Sequence, residues 1–203
     1  MVGRCDIIRK TMSKSTSISI RGGKMHIIEL PKEKYDYFEL HYSYTTREHY
    51  KVELCSNKDI MSLVYTRQSY EEPKKVENTD TLYQDYWVNS EAYAVCDDES
   101  EEILGYVEIA SDEWNNRLRM TQLLVKNEAR GKGAGKFLVD FVKGIAKERE
   151  YRIIVLEAQN YNTPAIDFYF SQGFSFCGGN TYFYSNEDIE DDEVMLEMAY
   201  FVE

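Results

Sequence analysis

The sequence predicts an α/β fold, a central mixed sheet of mostly antiparallel strands with flanking helices and one parallel strand pair. Three observations predict it. An apolar run from Leu118 to Val125 passes through the glycine-rich turn Arg130-Gly-Lys-Gly-Ala-Gly-Lys136 into an amphipathic run from Phe137 to Ala146. A short buried strand pattern follows at Ile153 to Leu156, so the intervening helix is a crossover and the two strands it joins are parallel neighbours. Upstream, apolar runs at 92–96, 103–109 and 117–125 are separated by short polar turns, the pattern of an antiparallel meander.

The 203 residues suit one domain with a sizeable core. Residues 1–24 hold six bases and one acid, with serines but only the short apolar pair Ile7-Ile8, which predicts a basic, weakly ordered extension and no signal peptide. Residues 25–203 then form the domain. The whole chain carries a net charge of −12, so without its basic extension the domain stands at −17. That balance repels nucleic acid and attracts cationic partners. Cys5, Cys55, Cys96 and Cys177 are far apart with no C-x-x-C pair, and His26, His41 and His49 have no metal-ligand spacing. A disulfide framework or zinc site is not expected, and the cytoplasm is the natural compartment. No apolar run reaches the roughly 18 residues of a membrane span.

In chain order, Tyr37–Tyr44 and His49–Leu54 are rich in aromatic and β-branched residues and read as a hairpin closed by Thr45-Thr-Arg-Glu48. Residues 60–90, broken by Pro73, are compatible with either strand or helix. Ala92–Cys96 and Ile103–Ile109 form a hairpin about the acidic turn 97–102, and Trp114-Asn-Asn116 turns the chain into Arg117–Val125, where Leu118, Met120 and Gln122 alternate with Arg119, Thr121 and Leu123. In the helix after the glycines, Leu138, Phe141, Val142 and Ile145 fall at i, i+3, i+4 and i+7, one stripe facing a sheet. Asn162 is a good N-cap, Pro164 fits a first turn and Gly173 is a good terminator, so 163–172 form a short helix. Phe174–Phe176 and Thr181–Tyr184 read as strands, the acidic stretch 186–193 as a loop, and Val194–Val202 as the closing strand.

The glycine-rich turn carries the chemistry. Its glycines admit dihedrals closed to other residues, and the helix begins inside the turn, so unpaired N–H groups and the positive end of the dipole share one space with Arg130, Lys132 and Lys136. A phosphate or pyrophosphate is the expected guest. The P-loop pattern is excluded, because Arg130 stands where its first glycine belongs and Phe137 where Ser or Thr belongs. The dinucleotide fingerprint is excluded by Lys136 in place of its third glycine.

The spacing of Arg130, Gly133 and Gly135 resembles the Gln/Arg-x-x-Gly-x-Gly/Ala loop of the GNAT acetyltransferase superfamily. Asn162-Thr-Pro-Ala165-Ile-Asp-Phe168-Tyr169 with Gly173-Phe174 resembles its second motif. The likeness covers about residues 88–202. It implies the GNAT fold, with the parallel pair splayed, and acetyl-CoA as cosubstrate, its pyrophosphate on the turn 130–136, including Gly131, Lys132 and Ala134. It also implies a pantetheine arm along Leu123-Leu124-Val125, with an amide near Leu123 on the thioester carbonyl. Asn162, Ala165 and Phe168 would line that arm, Asn162 either by contact or only as a cap. Tyr169 falls at the general-acid position.

Many members carry Glu where this chain has Thr121, which cannot act as a base. Glu157 and Glu108 remain as candidates to bind a cationic amine or relay its proton. Ile154–Asn160, Tyr169, Gly173-Phe174 and Asn180–Asn186 most resemble the streptothricin acetyltransferase group, which implies a cationic antibiotic as amine acceptor. A polyamine or protein amine, a non-catalytic acyl-CoA-binding module, and a homodimer stay open as alternatives.

Overall fold

The computed structural model describes residues 18–20 and 23–203. Strands β1 (Ile18–Ile20) and β2 (Gly23–Leu30) pair antiparallel, so the end of the basic extension carries strand; residues 1–17, 21 and 22 lie outside the described residues. After the single-turn helix α1 (Lys32–Tyr35) come two long strands, β3 (Glu39–Ser56) and β4 (Met61–Thr81). The meander follows as β5 (Glu91–Asp97), β6 (Ile103–Asp112) and β7 (Arg117–Val125). Helix α2 (Ala134–Glu148), β8 (Ile153–Gln159), α3 (Thr163–Ser171), β9 (Ser175–Asn180) and β10 (Met195–Phe201) complete the chain.

The sheet has the order β1-β2-β5-β6-β7-β8-β10-β9. Its neighbours are antiparallel except β7 and β8, the parallel pair expected from the crossover. The α2 stripe predicted from periodicity is buried at Leu138, Val142 and Ile145, against Val107 and Ile109 of β6, Leu118 and Met120 of β7, and Ile154 and Leu156 of β8. Burying one such leucine is worth about 2 kcal/mol. A second cluster, with Leu30, Leu40, Leu82, Ala92, Ala94 and Tyr106, joins the base of the β3–β4 arm to the sheet. No helix among the described residues is long and apolar enough to cross a membrane.

Two expectations are corrected. Thr45–Glu48 is no turn: β3 runs through it, and β3 and β4 form one long two-stranded arm. Threonines favour strands, and the segment lacks the glycine, asparagine or proline that a tight reversal needs. It forms instead an irregular stretch between the pairs Thr46↔Lys74 and Glu48↔Ser69, which also accommodates Pro73, a residue with no N–H for a ladder. Buried Thr46 donates its hydroxyl to Glu48 O at 2.6 Å and lies 2.8 Å from the Thr163 hydroxyl at the start of α3. The actual reversal is at Asn57, whose Oδ1 accepts from the amides of Asp59 (2.9 Å) and Ile60 (3.0 Å).

Thr181–Tyr184 is likewise not strand but turn. Asp188 is buried at 1% exposure, and its carboxylate accepts from the amides of Phe183 (2.8 Å), Tyr184 (3.1 Å) and Ser185 (2.6 Å) and from the Ser185 hydroxyl (2.9 Å). The chain wraps around this charge.

Burial pushes the Asp188 carboxyl up, but the bonds from Tyr184, Ser185 and Phe183 outweigh it and hold the group below its ordinary 3.8. A depressed folded value contributes stability above the unfolded one and loses it as pH falls through the folded value. Replacing Asp188 with alanine is therefore expected to cost about 2 kcal/mol at neutral pH, the scale of hydrogen bonds to a charged group. In urea titrations the difference from wild type should shrink toward zero in strong acid; a pH-independent difference would refute this role.

Candidate active site

The β7–β8 pairing extends only over Arg117–Arg119 with Ile153–Val155. Beyond it the strands diverge, β7 staying with β6 to Val125 and β8 with β10 to Gln159. The register of β6 with β7 steps from Ile109↔Met120 to Glu108↔Gln122, so Thr121 is an extra, bulged residue. The divergence opens a cleft of about 580 Å³ between the ends of β7 and β8, the start of α2, α3, and the β3–β4 arm.

At one end lies the glycine-rich turn. Gly131 (φ +72°) and Gly133 (φ +95°) hold left-handed conformations that the turn requires. Gly133 caps α2 with no side-chain acceptor, and the Phe137 amide returns to Gly133 O at 3.0 Å, so the helix starts with amides open to an anion. Gly135 matters for packing instead, because a Cβ there would meet Phe168 Cζ at 3.2 Å and its absence lets α2 approach α3.

The cations are less free than the sequence suggests. Arg130 donates to Ser43 O at 2.9 Å and to Val125 O at 3.2 Å, tying the turn to β3 and β7, and Lys136 bonds Asp140 at 2.6 Å. Leu123, Leu124 and Val125 line the cleft along β7, and Arg130, Gly131, Gly133, Gly135 and Lys136 line it at the turn. Ala134 is buried in the core, and Lys132 is exposed and does not line the cleft.

From α3, Asn162, Ala165, Phe168 and Tyr169 face the cleft. Asn162 does cap its helix, accepting from the Ala165 amide at 3.3 Å, and also lines the cavity. Tyr169 is 8% exposed and its hydroxyl has no hydrogen-bond partner among the described residues. Burial pushes this phenol above its ordinary 10, so it stays protonated throughout the neutral range.

The opposite end is acidic. Asp80 and Glu157 are its lining carboxylates. Asp80 accepts from Gln122 Nε2 at 2.7 Å and from Gln84 Nε2, while Gln122 Oε1 accepts from the Tyr42 hydroxyl at 2.6 Å. Burial pushes Glu157 up; Arg119 opposes this, and Asp80 and Glu197 reinforce it. Around the mouth, Tyr161 donates to Glu193 at 2.7 Å, and Tyr44 joins the lining. Glu108 is fully buried and does not line the cleft.

The sequence-predicted residues of β7, the turn, α3 and Glu157 thus meet in one cavity, except Lys132 and Ala134, which stand outside it. Tyr42, Tyr44, Asn78, Asp80 and Gln122 also line it, outside the sequence-predicted set. A signal for the first two existed, since Tyr42 and Tyr44 are two apart on one strand and share a face; Asp80 had none.

The model of the Acetyltransferase (GNAT) family matches residues 59–174, from the tip of the arm to the residue after α3's terminating glycine. Streptothricin acetyltransferase of Streptomyces lavendulae is 32% identical over 94 residues, 46% of this chain and 50% of that protein. That of Escherichia coli is 30% identical over 101 residues, 50% and 58% of the two chains. The chain therefore spans about half the length of the curated relatives it matches. Nourseothricin acetyltransferase superposes with a TM-score of 0.68 over 88% of this chain and 99% of its own, at 24% identity, and so shares the fold. So does a protein assigned as a streptothricin acetyltransferase from Bacillus anthracis str. Ames, solved with acetyl coenzyme A, at 0.65 and 24% over 87% and 99%. With the family model spanning more than half its residues, the chain belongs to the GNAT acetyltransferase family.

Proposed function

We propose that the chain is an acetyl-CoA-dependent N-acetyltransferase that moves the acetyl group directly onto a primary amine of a cationic small molecule, a streptothricin-like antibiotic. The observation that carries this reading is the polarity of the cleft: open helix amides beside Arg130 and Lys136 at one end, Asp80 and Glu157 among tyrosines at the other. An anionic cosubstrate and a cationic acceptor fit opposite ends, with the unpaired edge of β7 between them. The similarity to streptothricin acetyltransferases supports the antibiotic.

In this reading the amides of 131–135 hold the pyrophosphate, and the open edge of β7 pairs with the pantetheine as a neighbouring strand would. The Leu123 amide polarises the thioester carbonyl. Tyr169, kept neutral by burial, protonates the departing sulfur; the same apolar surroundings raise the basicity of a thiolate, so donor and acceptor remain matched. Asp80 and Glu157 hold the acceptor's ammonium group, and the aromatic rings of Tyr42 and Tyr44 favour a cation nearby. The chain's acidity argues against nucleic acid as partner, and its dispersed cysteines favour the cytoplasm.

Gly133→Asp is expected to abolish acetyl-CoA binding in titration calorimetry, since it strains a positive φ and sets a carboxylate against phosphate. Unchanged affinity in a variant folded by circular dichroism would remove the turn from the site.

Tyr169→Phe should lower kcat by about 10²–10⁴-fold, the usual worth of general-acid catalysis, while acetyl-CoA affinity stays near normal. Because the phenol titrates above 10, wild-type kcat should show no alkaline fall from this group below that pH. Full turnover in the variant would withdraw Tyr169.

Asp80→Asn and Glu157→Gln should each raise the acceptor KM, by about tenfold for one lost charge contact of roughly 1.4 kcal/mol, and leave the acetyl-CoA KM unchanged. An amine screen scored by thiol release, with streptothricin, spermidine and a lysine peptide, separates the antibiotic from polyamine and protein amines. Binding without turnover on any amine would indicate a non-catalytic module.

A further inference from the structure

The acceptor enters as an ammonium ion and has to lose a proton before it can attack. The carboxylates lining the cleft are suited to hold that charge, and a base placed in the cleft itself would compete for the same ammonium as an ion pair. One carboxylate lies just behind the lining. Glu108, fully buried on β6, accepts the Thr121 hydroxyl on Oε2 at 2.6 Å and the Tyr83 amide on Oε1 at 2.5 Å. Thr121 lines the cleft, at the extra position of the β7 bulge.

A straight β7 would pair Thr121 into the ladder. The bulge releases it, so that a residue lining the cavity also holds the buried acid through its hydroxyl. Because its hydrogen points at Glu108, the Thr121 oxygen has its lone pairs left for a donor in the cleft.

We propose that Glu108 is the proton acceptor for the amine and that Thr121 is the relay through which the proton reaches it, a role that rests on the acetyltransferase reading above. The ammonium gives one proton to Thr121 Oγ as Oγ passes its own to Glu108 Oε2, leaving a neutral amine. The amine's lone pair forms the C–N bond at the acetyl carbonyl carbon. The C–S bond then breaks with its electron pair on sulfur, which takes the Tyr169 proton. The second nitrogen proton restores the phenol. Glu108 releases its proton back through Thr121 to water once the product has gone, so one proton is lost overall per acetyl transferred.

The surroundings of Glu108 strengthen it as a proton acceptor. Burial pushes its carboxyl up, the bonds from Thr121 and the Tyr83 amide pull it down, Asp80 on β4 raises it and Lys32 on α1 lowers it; the net direction is upward. Tyr42, Tyr83 and Tyr86 also face it and remain neutral. Glu108 acts through Thr121 and is a positioning and proton-accepting group, without contact to the substrate.

The test compares wild type with Glu108→Gln, Thr121→Val and Thr121→Ser, using streptothricin and acetyl-CoA. Acetyl-CoA affinity is measured by calorimetry and kcat/KM across the pH range. Glutamine keeps an oxygen for the Tyr83 amide but cannot take a proton. Glu108→Gln and Thr121→Val should lose about 10²-fold or more at neutral pH, with acetyl-CoA affinity unchanged. The loss should diminish as pH rises toward the acceptor's own pKa, where the amine arrives already neutral. Thr121→Ser should recover most of the rate.

Superposable pH profiles for wild type and Glu108→Gln, or full activity in Thr121→Val, would overturn the relay while leaving the acetyltransferase reading intact. So would a Thr121→Ser variant no better than Thr121→Val, since that would indicate packing. If Glu108→Gln does not fold, the two Thr121 variants decide alone. A wild-type protein that binds acetyl-CoA and acetylates neither streptothricin nor any other amine would overturn both.

Discussion

The divergence of β7 from β8 is the constraint on which the rest of this structure depends. Two parallel strands that begin paired would ordinarily continue so, because a buried backbone edge without partners costs several hydrogen bonds. Here each strand is held elsewhere along its full length, β7 by β6 and β8 by β10, and the pair separates after Arg119 and Val155. The open edges are then tolerable only because they line a cleft that water or a strand-like ligand can enter. The start of α2 follows from the same separation, since the turn after β7 lands beside the opening and aims its free amides into it.

Electrostatics divides this opening without help from the overall charge. The chain is strongly acidic, yet one end of the cleft presents an uncapped helix start with Arg130 and Lys136 beside it. Backbone achieves this more than side chains do. Arg130 is largely committed to carbonyls of Ser43 and Val125, and Lys136 to Asp140, so both work as struts as well as charges. At the other end the carboxylates are held apart from these cations. Asp80 is fixed by Gln122, and Gln122 by Tyr42, a chain of bonds that gives the arm and the sheet one shared geometry.

What was legible in the sequence was local. The turn, α2, the α3 cap and the meander depend on glycines, periodicity and capping within a few residues, and the structure has each of them where those signals lie. The arm was illegible because its defining features are long-range. Thr45–Glu48 is an irregular strand whose Thr46 meets Thr163, more than a hundred residues away, and Pro73 stands opposite that irregularity. Thr181–Tyr184 has strand-forming residues, but a single buried carboxylate at Asp188 outweighs their propensity by gathering three amides. The bulge at Thr121 was hidden for a similar reason: an alternating pattern with one extra residue still alternates on either side of the insertion.

The arm's position follows from how it is clamped. Arg67 on β4 makes a bidentate pair with Asp167 of α3 at 2.7 and 2.8 Å while also bonding Glu48 of β3 at 2.6 Å, and Tyr65 donates to Met195 O of β10 at 2.7 Å. Arg130 adds a bond from the turn to β3. A two-stranded ribbon alone is marginally stable in water, so these attachments set where Tyr42, Tyr44 and Asp80 stand. Two of these attachments reach elements that line the cleft, α3 with Tyr169 and the turn with its open amides, and the third reaches β10, the neighbour of β8. In the proposed reading, the wall that meets the acceptor is thereby tied to the parts that meet the acyl donor. A change of acceptor is accordingly expected to require change in the arm's clamps as well as in the residues that line the cavity.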